Sequence, residues 1–247
     1  MAIEIFNRYE NKYMIDDDVY EKLQGKLVDY MDLDSYNKKH ALYPICNLYY
    51  DTPDSHLIRT SLQKPDYKEK LRIRSYGTPD AGSKVYIEIK KKFCKLVNKR
   101  RSALPLQESY AFLSSGVLPE TIHPAWGANR QVLSEIQYIL QQYTLRPQLF
   151  LSYERRAFFG AGKRDLRISF DTNITTRRSD LRLESGIYGS KLLPTGKWLM
   201  EVKTAENIPL WLCRLLSEYK IYPISFSKYG TEYRQILSSE IQMQKVG

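Results

Sequence analysis

The stretch Lys68-Glu-Lys-Leu-Arg-Ile-Arg-Ser75 places a cation at every second position, with Leu71 and Ile73 between them. A β-strand turns successive side chains to opposite faces, so Lys68, Lys70, Arg72 and Arg74 share one face and the apolar residues the other. The pattern recurs along the chain. In 84–91, Tyr86, Glu88 and Lys90 oppose Val85, Ile87 and Ile89. In 148–157, Tyr153 and Arg155 share a face that Leu149 and Leu151 continue. In 165–171, Arg167 and Ser169 oppose Ile168 and Phe170, and in 197–204 Glu201 and Lys203 oppose Met200 and Val202. Near the start, "RYENKY" sets Arg8, Glu10 and Lys12 against Tyr9, Asn11 and Tyr13 within a strand expected over 3–14, and 46–50 ("CNLYY") reads as another strand.

A single such strand is the ordinary wet face of a one-sided antiparallel sheet. Many of them, with Arg and Lys in place of the usual Thr, Ser and Gln, are another matter. Like charges opposite one another across a ladder destabilise it, so neighbouring cationic faces call for a compensating anion. A closed antiparallel barrel or tunnel meets that need, with its charged faces inward around a polyanion and its apolar faces covered by helices. Helices are expected over 16–31 (Val19, Leu23, Leu27, Met31), 129–143 (Val132, Ile136, Ile139, Leu140) and about 208–219 (Leu212, Leu215, Leu216), between groups of strands. The fold class is therefore α+β, an antiparallel β-barrel or tunnel with helices packed outside. At 247 residues and without an internal repeat it reads as one domain, 1–247.

The net charge of +10 fits an anionic partner. Arginine engages phosphate with a planar fork and lysine adds point charge, while Glu10, Glu88 and Glu201 are candidate carboxylates for Mg²⁺ or Mn²⁺. The scattered Cys46, Cys94 and Cys213 argue for a reducing compartment and against a disulfide framework. His40, His56 and His123 lie off the patterned strands and are read as structural or surface groups. No apolar run is long enough to span a membrane and no signal peptide is recognised, so a cytoplasmic location is expected. Nucleic acid is not expected as a partner, because the charged faces hold too few aromatics for a stacking platform.

The segments "RYENKY", "KLRIRSYG", "VYIEIKKK", "LSYERRAF", "LRISFDTNI", "WLMEVKT" and "SFSKYGTEY", in this order over about residues 3–235, resemble the VTC-type polyphosphate polymerase domains. These belong to the triphosphate tunnel metalloenzymes, together with the CYTH proteins. The resemblance implies a β-tunnel in which the γ-phosphoryl of ATP is moved onto a polyphosphate chain with Mn²⁺ or Mg²⁺. It implies Lys12, Arg72, Arg74, Lys90, Arg155 and Lys228 as the catalytic phosphate-binding set. Arg8, Lys70, Lys99, Arg167 and Lys203 extend the basic lining, and Tyr153 and Ser227 add hydroxyls. Glu201 is the implied main metal ligand, helped by Glu10 and Glu88. Arg8 stands where CYTH-type enzymes carry the first glutamate of an ExExK motif, which tilts the reading from hydrolysis towards synthesis. Ser225 stands where eukaryotic polymerases carry another lysine. Neither an SPX domain nor a membrane helix is recognised, so coupling to translocation would need a membrane-protein partner. A triphosphate or polyphosphate hydrolase and a non-catalytic polyphosphate or inositol-phosphate binder are the alternatives.

Overall fold

The computed structural model describes residues 9–94, 96–120, 124–162 and 165–246. In chain order the elements are β1 (Tyr9–Asp16), α1 (Asp17–Leu27), β2 (Met31–Leu33), β3 (Tyr43–Asp51), α2 (His56–Leu62), β4 (Tyr67–Tyr76), β5 (Lys84–Phe93) and β6 (Leu96–Pro105). There follow α3 (Leu106–Ser115), a short 3₁₀ turn (Pro124–Trp126), α4 (Arg130–Gln142), β7 (Arg146–Gly160), β8 (Arg167–Arg177), β9 (Ser190–Lys191), β10 (Lys197–Thr204), α5 (Leu210–Glu218) and α6 (Lys228–Val246). The sheet order is β1-β10-β8-β7-β3-β4-β5-β6, with β2 on β7 and β9 on β8; the pairs β1–β10, β10–β8, β2–β7, β3–β4, β4–β5 and β5–β6 are antiparallel. Among the described residues the order runs from β1 to β6 without returning, so the ladder is open rather than hydrogen-bonded into a ring.

The chain gathers into two compact units. The first comprises 1–44, 153–174 and 191–226, and the second 45–152, 175–190 and 227–247. Each has its own apolar core. In the first, Tyr13, Ile15, Ile168, Phe170, Met200 and Val202 project from β1, β8 and β10 onto Leu23 and Leu27 of α1 and Leu212, Leu215 and Leu216 of α5. In the second, Leu71, Ile73, Val85, Ile87, Ile89 and Leu104 project from β4, β5 and β6 onto Phe112 and Leu113 of α3 and Val132, Leu133, Ile136 and Ile139 of α4. The period-two reading thus assigned the apolar faces correctly, because burying alternate side chains under a helix is what removes them from water.

Helix boundaries differ in physically explicable ways. Asn129 caps α4 by accepting a hydrogen bond from the Val132 amide, as its place before an apolar-periodic run suggests. The first helix ends at Leu27, and Met31 opens β2 beside Gly160 of β7 instead of continuing the helical face. The basic run Lys99-Arg100-Arg101 lies on β6, a full strand, because its inward side chains Ser102 and Leu104 continue the core. "SFSKYGTEY" opens α6, where Ser227 caps the first turn through the Gly230 amide at 3.2 Å. Gly230 packs closely there, since a Cβ would sit 3.0 Å from the Leu62 side chain of α2. Strand positions 3–8, and so Arg8, lie outside the described residues, as do Lys95 and His123. Of the cysteines, Cys46 is buried while Cys94 and Cys213 are exposed.

Candidate functional site

The predicted residues that the structure describes fall into two clusters, one rich in cations and one in which cations and acids are paired. In the second unit, strand register stacks the charged faces of β4, β5 and β6 into rows. Lys70, Lys90 and Lys99 form one row, Arg72, Glu88 and Arg101 the next, and Arg74 and Tyr86 the third. Tyr49 and Asn47 of β3 extend the last two rows, opposite Arg72 and Arg74.

Within this array Glu88 is the counter-ion. It is 1% exposed, and it meets Arg72 at 2.7 Å, Lys99 at 2.7 Å and Arg74 at 3.7 Å. Burial alone would raise its carboxyl, but Arg72, Arg74 and Lys99 hold it well below the usual carboxylate range. Its stabilising charge is therefore present above the unfolded value of about 4.3, and is lost only as pH falls through the depressed folded value. Around this centre, Arg72 also donates to the Tyr49 hydroxyl at 2.8 Å, and Arg74 donates to Asn47 at 3.0 Å. Lys70 reaches the Ser227 hydroxyl at 3.4 Å, which ties the lysine row to the first turn of α6, where Lys228 follows. That turn is pinned by the Tyr229 hydroxyl, which donates to the buried Asp51 at 3.0 Å, while Asp51 also caps α2 through the Leu57 and Ile58 amides. The N-terminal turn of a helix favours anions, which suits Ser227 and Lys228.

Lys99 is pushed down to about 7 by desolvation and by Arg74 and Arg72, with only Glu88 supporting its charge. Two-fifths of its side chain remains in contact with water, which moderates the depression. Because that value lies below the unfolded one of about 10.4, the folded protein binds fewer protons than the unfolded chain between the two. The contribution of Lys99 to stability is thus poorest below 7 and improves as pH rises from 7 towards 10. A bound polyanion reverses the balance by favouring the ammonium. Lys99 should therefore gain a proton as tripolyphosphate binds near pH 7.5, an uptake that adds to the ligand's own proton change and is measured by calorimetry in buffers of differing ionisation enthalpy. Lys99→Met should reduce that uptake, and an unchanged uptake would remove Lys99 from the reading.

The first unit's cluster is balanced. Register places Glu10, Lys203 and Arg167 in one row across β1, β10 and β8, and Lys12, Glu201 and Ser169 in the next. Lys12 lies 3.3 Å from Glu10 and 3.7 Å from Glu201, and it donates to the Phe226 carbonyl at 2.9 Å. Lys203 lies 3.1 Å from Glu201 and 3.8 Å from Glu10. Arg155 forms a two-pronged pair with Asp171 at 2.6 and 2.7 Å, stands over the Tyr153 ring at 5.1 Å, and comes to 3.9 Å from Glu201. Burial would depress its guanidinium, but Asp171 beside it holds the group well above its ordinary value. Arg167 pairs with Asp34 at 3.4 Å.

These distances test the fit of a divalent metal. Glu10 and Glu201 converge on the same two ammonium groups, so their oxygens already surround common positive points. A hard divalent cation with substrate phosphates needs only one or two carboxylates. Among the described residues no group of three or more His, Cys, Asp or Glu side chains is placed to hold a metal, so phosphate or water oxygens must complete the shell. Glu10 and Glu201 fit such an ion. Glu88 fits less well, because it is 1% exposed with Arg72 and Lys99 already 2.7 Å away, whereas Lys203, Lys12 and Arg155 stand 3.1, 3.7 and 3.9 Å from Glu201.

Asp171, Asp51 and Tyr49 were not singled out from the sequence. Asp171 was detectable, since it continues the polar face of Arg167 and Ser169 by two residues. Asp51 carried no such signal, because its partners are backbone amides and a tyrosine far along the chain.

Similarity to known proteins follows the same lines. Two curated relatives are vacuolar transporter chaperone complex subunits 4. The one from Schizosaccharomyces pombe is 26% identical over 224 residues, covering 75% of this chain and 30% of its own length. The one from Trypanosoma brucei brucei is 24% identical over 272 residues, covering 92% and 34%. The chain thus spans about a third of the length of these relatives. Among solved structures, a candidate adenylate cyclase of Bacillus halodurans superposes with a TM-score of 0.54 at 14% identity, covering 91% of this chain and 94% of its own. A candidate adenylyl cyclase of Hippeastrum, described as having a dominant triphosphatase activity, gives 0.50 at 17% identity, covering 89% and 92%. These likenesses establish the fold, that of the triphosphate tunnel proteins. The profile of the VTC domain matches residues 7–237, nearly the whole chain, and the protein belongs to the VTC domain family.

Proposed function

We propose that this chain is a metal-dependent phosphotransferase that lengthens polyphosphate with the γ-phosphoryl group of ATP. The observation that carries the reading is the charge contrast between the clusters. Strand register sets Lys70, Lys90, Lys99, Arg72, Arg74 and Arg101 on the same strand face as Glu88, a concentration of cations suited to a polyphosphate backbone. Glu10 and Glu201, each between lysines, suit a divalent cation that arrives with phosphate.

The chemistry needs no protein nucleophile. A terminal oxygen of the polyphosphate chain attacks the γ-phosphorus, the β–γ bridging bond breaks, and ADP leaves with the electron pair. Catalysis is then positioning and neutralisation of charge. Arg72 and Arg74 are pre-oriented by Glu88, Tyr49 and Asn47, and Arg155 by Asp171, so little reorganisation accompanies phosphate binding. Glu201 and Glu10 are assigned to Mn²⁺ or Mg²⁺, which would supply further charge neutralisation at phosphate oxygens. Lys12 and Lys203, now paired with Glu10 and Glu201, would be available to phosphate where those carboxylates hold the ion. Glu88 is reassigned here from metal ligand to organiser of the arginines. Lys228 and Ser227 contribute at the α6 N-terminus, and Arg8, Arg167 and Tyr153 remain assigned to the phosphate lining.

Among the described residues no helix is long and apolar enough to cross a membrane. A cytoplasmic location and a membrane-protein partner belong to this proposal, the latter supported by the relatives' naming as complex subunits. Purified protein with ATP and Mn²⁺ should yield phosphate chains that lengthen with time on a gel. Orthophosphate release without lengthening would replace synthesis by hydrolysis, and ligand binding without ATP consumption would leave only a binding module.

A further inference from the structure

At the far end of the second unit's sheet the core-facing side of β4, β5 and β6 continues past its helical cover. Lys91 and Arg100 still meet Glu135 of α4, at 2.7 and 3.0 Å. Beyond them stands an apolar row, Tyr67 opposite Phe93 and Phe93 opposite Leu96, exposed by 46%, 60% and 55%. Phe93 and Leu96 are the last paired residues of the β5–β6 hairpin, so these exposed side chains stand beside its turn. Large apolar side chains at such a place mark a contact with a partner or a membrane.

The opposite face of the same end is cationic. Lys68 and Lys92 are direct partners across the β4–β5 ladder, and Lys64 follows α2 nearby. Their crowding is felt by Lys68, which is lowered by burial and then by Lys92 and Lys64. Asp66 is the neighbouring exposed acid, and Glu69 is turned to the apolar side, where it accepts from the Tyr67 hydroxyl at 3.0 Å. Like charges paired across a ladder destabilise it, and an outside anion relieves the repulsion; Lys68 also donates to the Ser61 carbonyl at 3.3 Å. An apolar end with a lysine collar has the complementarity of an interfacial anchor: apolar groups enter the headgroup boundary while lysines extend to anionic headgroups.

We infer that the β5–β6 hairpin docks this protein on an anionic phospholipid surface, with Phe93, Leu96 and the Tyr67 ring entering the interface and Lys64, Lys68 and Lys92 meeting the headgroups. A soluble protein partner would have to bury the aromatic row and neutralise the lysines at once, whereas an anionic bilayer supplies both through one surface. The inference is independent of which phosphate reaction the chain performs.

Co-sedimentation of the full chain with vesicles tests it. Protein should pellet with phosphatidylcholine–phosphatidylglycerol vesicles, and not with phosphatidylcholine alone. Phe93→Ser with Leu96→Ser should abolish pelleting while leaving the thermal melt unchanged, since both residues are exposed. Lys68→Gln and Lys92→Gln should each weaken it by roughly five-fold. A bimane label on Cys94, in a Cys213→Ser background, should shift to the blue on adding anionic vesicles. Absence of vesicle binding, or binding that survives the loss of Phe93 and Leu96, would overturn the inference. So would a dimer in solution that the same pair of changes dissolves, which would make a second copy the occupant.

Discussion

Glu201→Gln is expected to lower ATP-dependent phosphate-chain synthesis by at least about a hundred-fold, the scale of losing one preorganised electrostatic contributor. Glu201 is almost buried, stands beside Lys12, Lys203 and Arg155, and converges with Glu10 on the same lysines. The amide keeps the shape and removes the charge, so the effect falls on the ion that the two carboxylates would hold. Raising Mn²⁺ should restore part of the rate, because weaker binding yields to mass action. Tripolyphosphate affinity measured without metal should hold or rise, since Lys12 and Lys203 lose a competing anion. Activity within about three-fold of wild type at saturating ATP would exclude Glu201 from the metal role.

Glu88→Ala is expected to be the most destabilising single change in the second unit. It leaves Arg72, Arg74 and Lys99 facing one another around a cavity, and removal of one partner from a buried ionic cluster costs about 3–5 kcal/mol. Urea unfolding monitored by circular dichroism would measure the loss. Inorganic tripolyphosphate should return much of it, because a ligand at a hundred times its Kd stabilises by about 2.7 kcal/mol. A loss below about 1 kcal/mol, or one indifferent to tripolyphosphate, would show that the cations disperse into water without their counter-ion.

The alternation of Leu71, Ile73, Val85, Ile87, Ile168, Phe170, Met200 and Val202 made both cores legible, because one face of each strand lies under helices. The same rule placed Arg72, Arg74 and Glu88 on one face, and Glu10, Lys12, Glu201 and Lys203 on another. It could not say which strands are neighbours. That Lys70, Lys90 and Lys99 would stand in a row depends on the register of β4, β5 and β6, which only pairing fixes. Nor could it distinguish the enclosed Glu88 from the converging Glu10 and Glu201, since all three fall on the charged face of their strands. The helix α6 escaped detection because its first turn reads as a polar, glycine-bearing loop. Its anchors, Tyr229 on Asp51 and Glu232 on Arg178 at 2.7 Å, are long-range contacts.

The central claim is the transfer of a γ-phosphoryl group to a phosphate chain, and a mass balance tests it most directly. With γ-labelled ATP and Mn²⁺, the protein should form one ADP for each labelled phosphate recovered in acid-labile chains, and Glu201→Gln should suppress both together. One labelled orthophosphate per ADP, with no label in chains, would contradict the account.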